Sequence, residues 1–375
     1  MMSSWLVTEK RSWPEWLALQ VLKVGPIPKH LALIMDGNRR YAKLHEQETF
    51  HGHIAGFKTL TYVLAWCRDL GITEVTSYAL SIENFKRSKE EVEGLLSLAS
   101  NKFEEVLNEG ENLAKHGVCI RIIGNLDLLP TYLRAQTAEV VLMTRNNTKC
   151  FLNLALAYTS RDEITAAVRE CAIAISEGRL QETDITPRLL EQCLYTAQSC
   201  HPDLVIRTSG ETRLSDFLLW QSQFSCLFFT KVLWPELSIW HVLGAVFHYQ
   251  RHHHTVVAAR KQAKLLYDRY ELEADQACSL DDPECGCDGT KARKIRVERF
   301  IADLVERREK TYHALSTQLK EIKKQQQESC EQEQKSEASG RVRVIGECGE
   351  RVVSVSVADP SLLKRVQQRM LLEAN

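Results

Sequence analysis

Six short apolar runs separated by helical stretches do most to restrict the fold open to this chain. The strand-like runs cover residues 31–35, 74–80, 118–123, 151–157, 203–207 and 226–229. Between them the periodicity is helical. Val92, Leu95, Leu96, Ala99, Phe103, Val106 and Leu107 trace one apolar face, entered through Ser88-x-x-Glu91, and Ser160-x-x-Glu163 opens another helix in the same way. Regular alternation of strand and helix predicts an α/β fold: a central, mainly parallel six-stranded sheet flanked by helices. Ligands in such sheets collect at the carboxyl ends of the strands, so the residues after each run carry the functional signal.

The first run leads into Ile34-Met35-Asp36-Gly37-Asn38-Arg39-Arg40-Tyr41-Ala42. A carboxylate, a glycine and two arginines at a strand end and helix start form a seat for an anion. Asp36 is placed to hold a hard cation, and Arg39 and Arg40 to grip phosphate oxygens. One carboxylate suffices for Mg²⁺ where the substrate supplies phosphate oxygens. The second run leads to Ser81-Ile82-Glu83-Asn84-Phe85-Lys86-Arg87, in which Glu83 is placed to pair with Arg87. The fifth leads to Arg207-Thr208-Ser209-Gly210-Glu211-Thr212-Arg213-Leu214-Ser215, a second phosphate seat, because the arginine fork matches phosphate geometry. Three clusters at one sheet edge point to a diphosphate substrate.

Residues 35–42, Gly52-His53-x-x-Gly56, Tyr78-Ala79-x-Ser81-x-Glu83-Asn84-Phe85-x-Arg87, residues 203–220 and Val232-Leu233-Trp234-Pro235-Glu236 closely resemble the cis-prenyltransferases. The match runs in order over about residues 26–250, and it resembles the eukaryotic dolichol-forming branch more than the bacterial undecaprenyl enzymes. The resemblance implies that isopentenyl diphosphate units are condensed onto farnesyl diphosphate with Z geometry. The product would be a long-chain dehydrodolichyl diphosphate for dolichol synthesis and protein glycosylation. Asp36 would be catalytic and the Mg²⁺ ligand. Gly37, Asn38, Arg39 and Arg40 would wrap the allylic diphosphate, with His53 beside it. Ser81 and Asn84 would position or deprotonate the isopentenyl unit. Arg87 would sit between the two diphosphates, and Arg207, Arg213 and Ser215 would bind isopentenyl diphosphate. A hydrophobic tunnel would receive the product. Leu95, Leu96, Leu98, Phe103 and residues 151–156 are candidates for its wall and read equally well as ordinary core.

Three departures from the family pattern stand out. A glutamate that helps to bind metal in bacterial members is Cys226 here, which leaves phosphates, water or backbone to complete the Mg²⁺ shell. Thr49 stands where a basic residue is usual. No arginine in the 375 residues is followed two positions on by glycine, whereas single-subunit members and the accessory subunits of heteromeric members reach across the dimer with an Arg-x-Gly tail. The expectation is an accessory subunit of the Nogo-B-receptor type that supplies the tail. Two rival readings are a scaffolding subunit and a phosphate-ester hydrolase. The first loses the Asp and Arg motifs that this chain keeps. The second needs a nucleophile or a metal–water cluster, and one metal carboxylate is all that appears.

Three zones are expected: an amphipathic helix over 1–25, a catalytic domain over 26–265 and a charged extension over 266–375, helical or partly disordered. In the first zone Ser12 to Glu15 fits a capping box, with Pro14 in the first turn and a stop at Gly25-Pro26. Trp13, Trp16, Leu17, Val21 and Val24 share a stripe that suits either docking on the domain or lying on a membrane surface. A net charge of −1 gives no basic field for nucleic acid. No apolar run approaches the ~20 residues that span a bilayer. Twelve scattered cysteines without a signal-peptide pattern predict reduced thiols in the cytosol. With so greasy a product, the resemblance implies peripheral attachment to the cytosolic face of the endoplasmic reticulum membrane. Weaker signals are a short hairpin pattern over 341–357, the irregular trio Cys278, Cys285 and Cys287, and His252-His253-His254, which reads as a solvated helix end.

Overall fold

The structure, a computed structural model, describes residues 10–281 and 289–338. The hairpin pattern over 341–357, Cys285 and Cys287 lie outside the described residues. In chain order the elements are α1 (Trp13–Leu22), β1 (His30–Ile34), α2 (Asn38–Leu44), α3 (Thr49–Leu70), β2 (Glu74–Ser81), α4 (Lys89–Asn108), α5 (Gly110–His116), β3 (Val118–Ile123), α6 (Thr131–Thr144), β4 (Cys150–Tyr158), α7 (Ser160–Ser176), α8 (Pro187–Cys193), β5 (Leu204–Arg207), β6 (Cys226–Phe229), α9 (Ile239–Asp281) and α10 (Gly289–Ala338). All six predicted strands are present, within a residue or so of their expected bounds.

The sheet is parallel throughout, in the order β3-β4-β2-β1-β5-β6. From β1 the chain lays β2 beside it, then β3 at the far edge and β4 between the two, and returns to the other side of β1 with β5 and β6. This reversal puts the topological switch point between β1 and β5, where a crevice opens at the carboxyl ends. Residue Ile34 of β1 is paired with Arg207 of β5, so Asp36 and Arg207 are brought to one place although 170 residues separate them.

Side chains alternate between two cores, as the pleat requires. Leu31, Leu33, Val75, Ile120, Leu152, Leu154 and Ile206 enter the larger core with Leu60, Leu96, Phe103 and Val106 of the helices. Ala32, Ile34, Ala155 and Val205 face the other way, against Tyr158, Phe217 and Leu218. A third cluster joins α7, α8 and α10 through Ala167, Cys171, Leu189, Phe300 and Leu304.

Several local expectations need correction. The cap of α7 is Thr159, whose hydroxyl accepts from the Asp162 N–H at 3.3 Å. Ser160 is the first helical residue and Glu163 is buried, accepting from the Tyr158 hydroxyl and from Thr196. In α1 the predicted stripe faces outward: Trp13 is 70% exposed and Trp16 51%, while Leu19 and Leu22 carry the docking contact. The helix therefore docks on the domain through one face and leaves the tryptophan stripe exposed. Residue 265 lies within the unbroken helix α9. By its internal contacts the chain forms one unit over Met1–Ser316 and a second over Thr317–Asn375, in which the described part is helical.

Candidate active site

Every residue expected at the site lines one cavity of about 940 Å³ at the carboxyl edge of the sheet: Asp36, Gly37, Asn38, Arg39, Arg40, His53, Ser81, Asn84, Arg87, Arg207, Arg213 and Ser215. Lys43, Tyr78, Glu83, Arg161, Glu211 and Asp216 share the wall. Seven permanently cationic side chains face four carboxylates there, an excess of positive charge suited to phosphate oxygens.

The floor is set by close backbone contacts. Gly37 begins α2 in the left-handed region, with φ at 112°, so the N-terminus of α2 turns directly over Asp36. Helix α3 supports α2 through two glycines one turn apart. A Cβ at Gly52 would lie 2.2 Å from the Asn38 carbonyl oxygen, and one at Gly56 would lie 2.4 Å from Asn38 Oδ1. This is the physical content of the Gly52-His53-x-x-Gly56 pattern. Trp234, fully buried, ties the same elements together: its backbone N–H donates to the Asp36 carbonyl at 3.1 Å and its indole N–H to the Gly56 carbonyl at 2.7 Å.

Arg207 is the buried centre of the crevice. It donates to Asp36 Oδ2 at 3.0 Å, to Ser215 Oγ at 2.6 Å and to the Arg213 carbonyl. Its side chain is only 4% exposed. Arg207 therefore orients Asp36 and Ser215, rather than projecting freely as a surface grip would. Arg40 reaches Ser209 Oγ, with Glu211 at 3.7 Å and Asp36 at 3.9 Å. Arg213 is 66% exposed and held by Glu211. The loop that carries these groups is conformationally unusual, with positive φ at Ser209, Ser215, Asp216 and Leu218. Such backbone persists where packing over-determines it, commonly at functional sites.

The β2 edge is more ordered than its sequence suggested. Residues Ile82–Lys86 form a 3₁₀ turn. Asn84 Oδ1 accepts from the Ser81 N–H at 2.9 Å and Ser81 Oγ from the Glu83 N–H at 3.2 Å. Glu83 pairs with Lys86, and Arg87 pairs instead with Glu91 at 2.7 Å. Glu91 also lies 4.0 Å from Arg39 and from His53 Nε2, so one carboxylate holds Arg87 and borders two further cavity groups. Burial, with Arg87 and Arg39 nearby, pushes His53 down to about 4, and its ring is neutral at neutral pH.

Asp36 suits a small hard cation. Its carboxylate is 35% exposed at the cavity wall, so oxygens from a bound phosphate can join it. Cys226 stands at the start of β6, the amino end of the sheet, and does not line the cavity. Of the residues proposed for the tunnel wall, Leu95 lines the cavity. Leu96, Phe103, Leu154 and Leu156 are core, Leu98 is half-buried, and Asn153 bonds to Glu74 and Thr76 on the other sheet face. A separate apolar cavity of about 210 Å³ lies at the amino ends of the strands, lined by Leu64, Val75, Leu113, Ile120, Phe151 and Leu152 among others.

Residues missed from sequence had recognisable signals. Arg161 lies three residues past β4, by the same strand-end rule that found Asp36. It pairs with Asp216 at 2.7 Å. Lys43 is one turn beyond Arg39 on the cavity face of α2, and Glu91 is one turn beyond Arg87.

Known proteins bear on this site in three ways. The family model described as "Putative undecaprenyl diphosphate synthase" matches residues 34–256. The human dehydrodolichyl diphosphate synthase complex subunit DHDDS is 52% identical over 274 residues, 73% of this chain and 82% of that protein. The tritrans,polycis-undecaprenyl-diphosphate synthase (geranylgeranyl-diphosphate specific) of Thermococcus kodakarensis is 45% identical over 218 residues, 58% of this chain and 82% of that one. Lavandulyl diphosphate synthase of Lavandula x intermedia, solved with dimethylallyl diphosphate, superposes with a TM-score of 0.57 at 33% identity, over 60% of this chain and 95% of that one. With the family model covering more than half its length, this parallel-sheet enzyme belongs to the cis-prenyltransferase family.

Proposed function

We propose that this prenyltransferase extends farnesyl diphosphate with isopentenyl diphosphate to a long-chain dehydrodolichyl diphosphate. The observation that carries the reading is the convergence of seven cationic side chains and Asp36 on one cavity of about 940 Å³, roomy enough for two diphosphates. The 52% identity to the human dehydrodolichyl diphosphate synthase subunit supports the product class.

In this reading the allylic C1–O bond breaks, C4 of isopentenyl diphosphate bonds to C1, and a proton leaves C2. Arg39, Arg40 and the amino end of α2 bind the allylic diphosphate where negative charge develops on departure. Mg²⁺ held by Asp36 would supply further neutralisation of that charge. Arg213, with Ser215, receives the isopentenyl diphosphate, and buried Arg207 positions both Ser215 and Asp36. Asn84 has committed its oxygen to Ser81, so its amide N–H₂ is the end that faces a ligand. Arg87 leaves Glu91 to bridge the diphosphates, and His53 stays neutral beside them. The growing chain runs from Leu95 under the sheet toward the apolar cavity at the strand amino ends, which requires core side chains to part.

The human relative is named as a complex subunit, which supports an accessory partner here, of the Nogo-B-receptor type that carries an Arg-x-Gly tail. Trp13, Trp16, Leu17 and Val21 form an exposed apolar face suited to the cytosolic surface of the endoplasmic reticulum membrane. No described helix is long and apolar enough to cross a membrane.

The test is incorporation of radiolabelled isopentenyl diphosphate into extractable lipid, primed by farnesyl diphosphate, with and without chelator and candidate partner. Long polyprenyl products that need magnesium and rise sharply with the partner are expected. Release of inorganic phosphate without chain growth would overturn the reading.

A further inference from the structure

We propose that Cys226, His248 and His252 form a binding site for a zinc-class transition-metal ion, separate from the diphosphate cavity. Cys226 opens the edge strand β6, and the two histidines lie one turn apart on α9, which packs against it. The thiol and one ring nitrogen of each histidine all fall within 4.8 Å of one another. A tetrahedral zinc ion with Zn–N of ~2.0–2.1 Å and Zn–S of ~2.3 Å spaces its ligands by roughly 3.4–3.6 Å. Side-chain adjustments of about an ångström close that gap, within the reach of χ rotations on a half-buried helix face.

The second observation is how the His252 ring is held. His252 Nδ1 lies 2.9 Å from the His248 carbonyl. The His252 imidazole thus gives its Nδ1 N–H to backbone and keeps Nε2 as a lone pair for a ligand. Histidines that ligate metals are oriented in this way. Binding takes a thiolate: the Cys226 proton goes to solvent as the metal–sulfur bond forms. One sulfur and two nitrogens suit zinc or cobalt and not magnesium or calcium. His252 is exposed, so solvent can reach the site.

A comparable trio, His30, Glu74 and Cys200, lacks this feature. Both ring nitrogens of His30 are taken, by the Cys200 carbonyl at 2.6 Å and the Thr76 hydroxyl at 2.7 Å. Its donors satisfy one another. An ion on Cys226, His248 and His252 would instead staple the sheet's edge strand to α9.

Titration of the untagged full-length chain with Zn²⁺ and with Co²⁺ tests the site. One ion per chain is expected, with a thiolate-to-cobalt charge-transfer band. Cys226→Ser should lose the band and the stoichiometric ion. His252→Gln, at an exposed position where folding is not at risk, should lose the ion as well. His254→Gln should keep both. Absence of a stoichiometric ion, an ion retained by Cys226→Ser or His252→Gln, or a cobalt spectrum without the thiolate band would overturn the proposal.

Discussion

Replacing Gly52 with alanine tests the physical basis of the diphosphate seat. The added Cβ would lie 2.2 Å from the Asn38 carbonyl oxygen and 3.1 Å from the Ala42 Cβ. A relaxed C···O contact is ~3.3 Å or more, so α2 must retreat from α3 by about 1 Å. Overpacking of this kind costs ~1–3 kcal/mol, and alanine in a helix interior returns ~1 kcal/mol of propensity, for a net loss of ~0–2 kcal/mol. The fold survives. The catalytic cost is larger, because Asn38, Arg39 and Arg40 ride on the displaced helix, and a misplacement of about 1 Å can lower turnover ~100-fold. The assay pairs kcat/KM for isopentenyl incorporation with urea unfolding of the same preparation. Gly244→Ala is the control: among the described residues, nothing beyond its own helix backbone and chain neighbours lies within 4 Å of its added Cβ, so it should gain ~0.5–1 kcal/mol from propensity alone. Native kcat/KM in Gly52→Ala would refute the argument that this glycine contact sets the geometry of the seat.

Asp36→Ala should abolish magnesium-dependent turnover while costing ~1–2 kcal/mol of stability, since Arg207 keeps its bonds to Ser215 and the Arg213 carbonyl; turnover near the native rate would remove Asp36 from the chemistry. Arg213→Ala should raise KM for isopentenyl diphosphate roughly ten- to a hundredfold, from a lost contact of ~1.5–3 kcal/mol, with an unchanged unfolding midpoint because the side chain is 66% exposed. An unaltered KM would place that substrate elsewhere. His53 is held at about 4 against an ordinary 6.5. The folded state therefore binds fewer protons than the unfolded state between those values, and the stability present above 6.5 is lost as pH falls toward 4, by up to about 3 kcal/mol. Urea unfolding across that range should show His53→Gln losing less stability than the native chain, and parallel curves would contradict the burial argument.

Much of the site was legible because its signals are local. Asp36, Ser81 and Arg207 each follow an apolar run, and the rule that ligands gather at strand carboxyl ends needs no knowledge of strand order. The same rule reaches Arg161 after β4, although this residue was not picked out. Glu91 was hidden because it was read as a capping residue, and its contacts with Arg39 and His53 arise only when α2, α3 and α4 pack together. Arg207 shows the limit differently: the sequence marks it as a phosphate arginine, while its burial makes it a brace for Asp36.

Sequence alone was enough for the strand–helix alternation, the parallel sheet and the cationic character of one edge, because periodicity and strand-end chemistry depend on near neighbours. Tertiary structure alone decided that β5 returns beside β1, that the tryptophans of α1 face outward while Leu19 and Leu22 dock, and that Cys226 meets two histidines of α9. These outcomes depend on which surfaces bury one another across long chain separations. A helix with two apolar faces carries no local mark of which one the core will take.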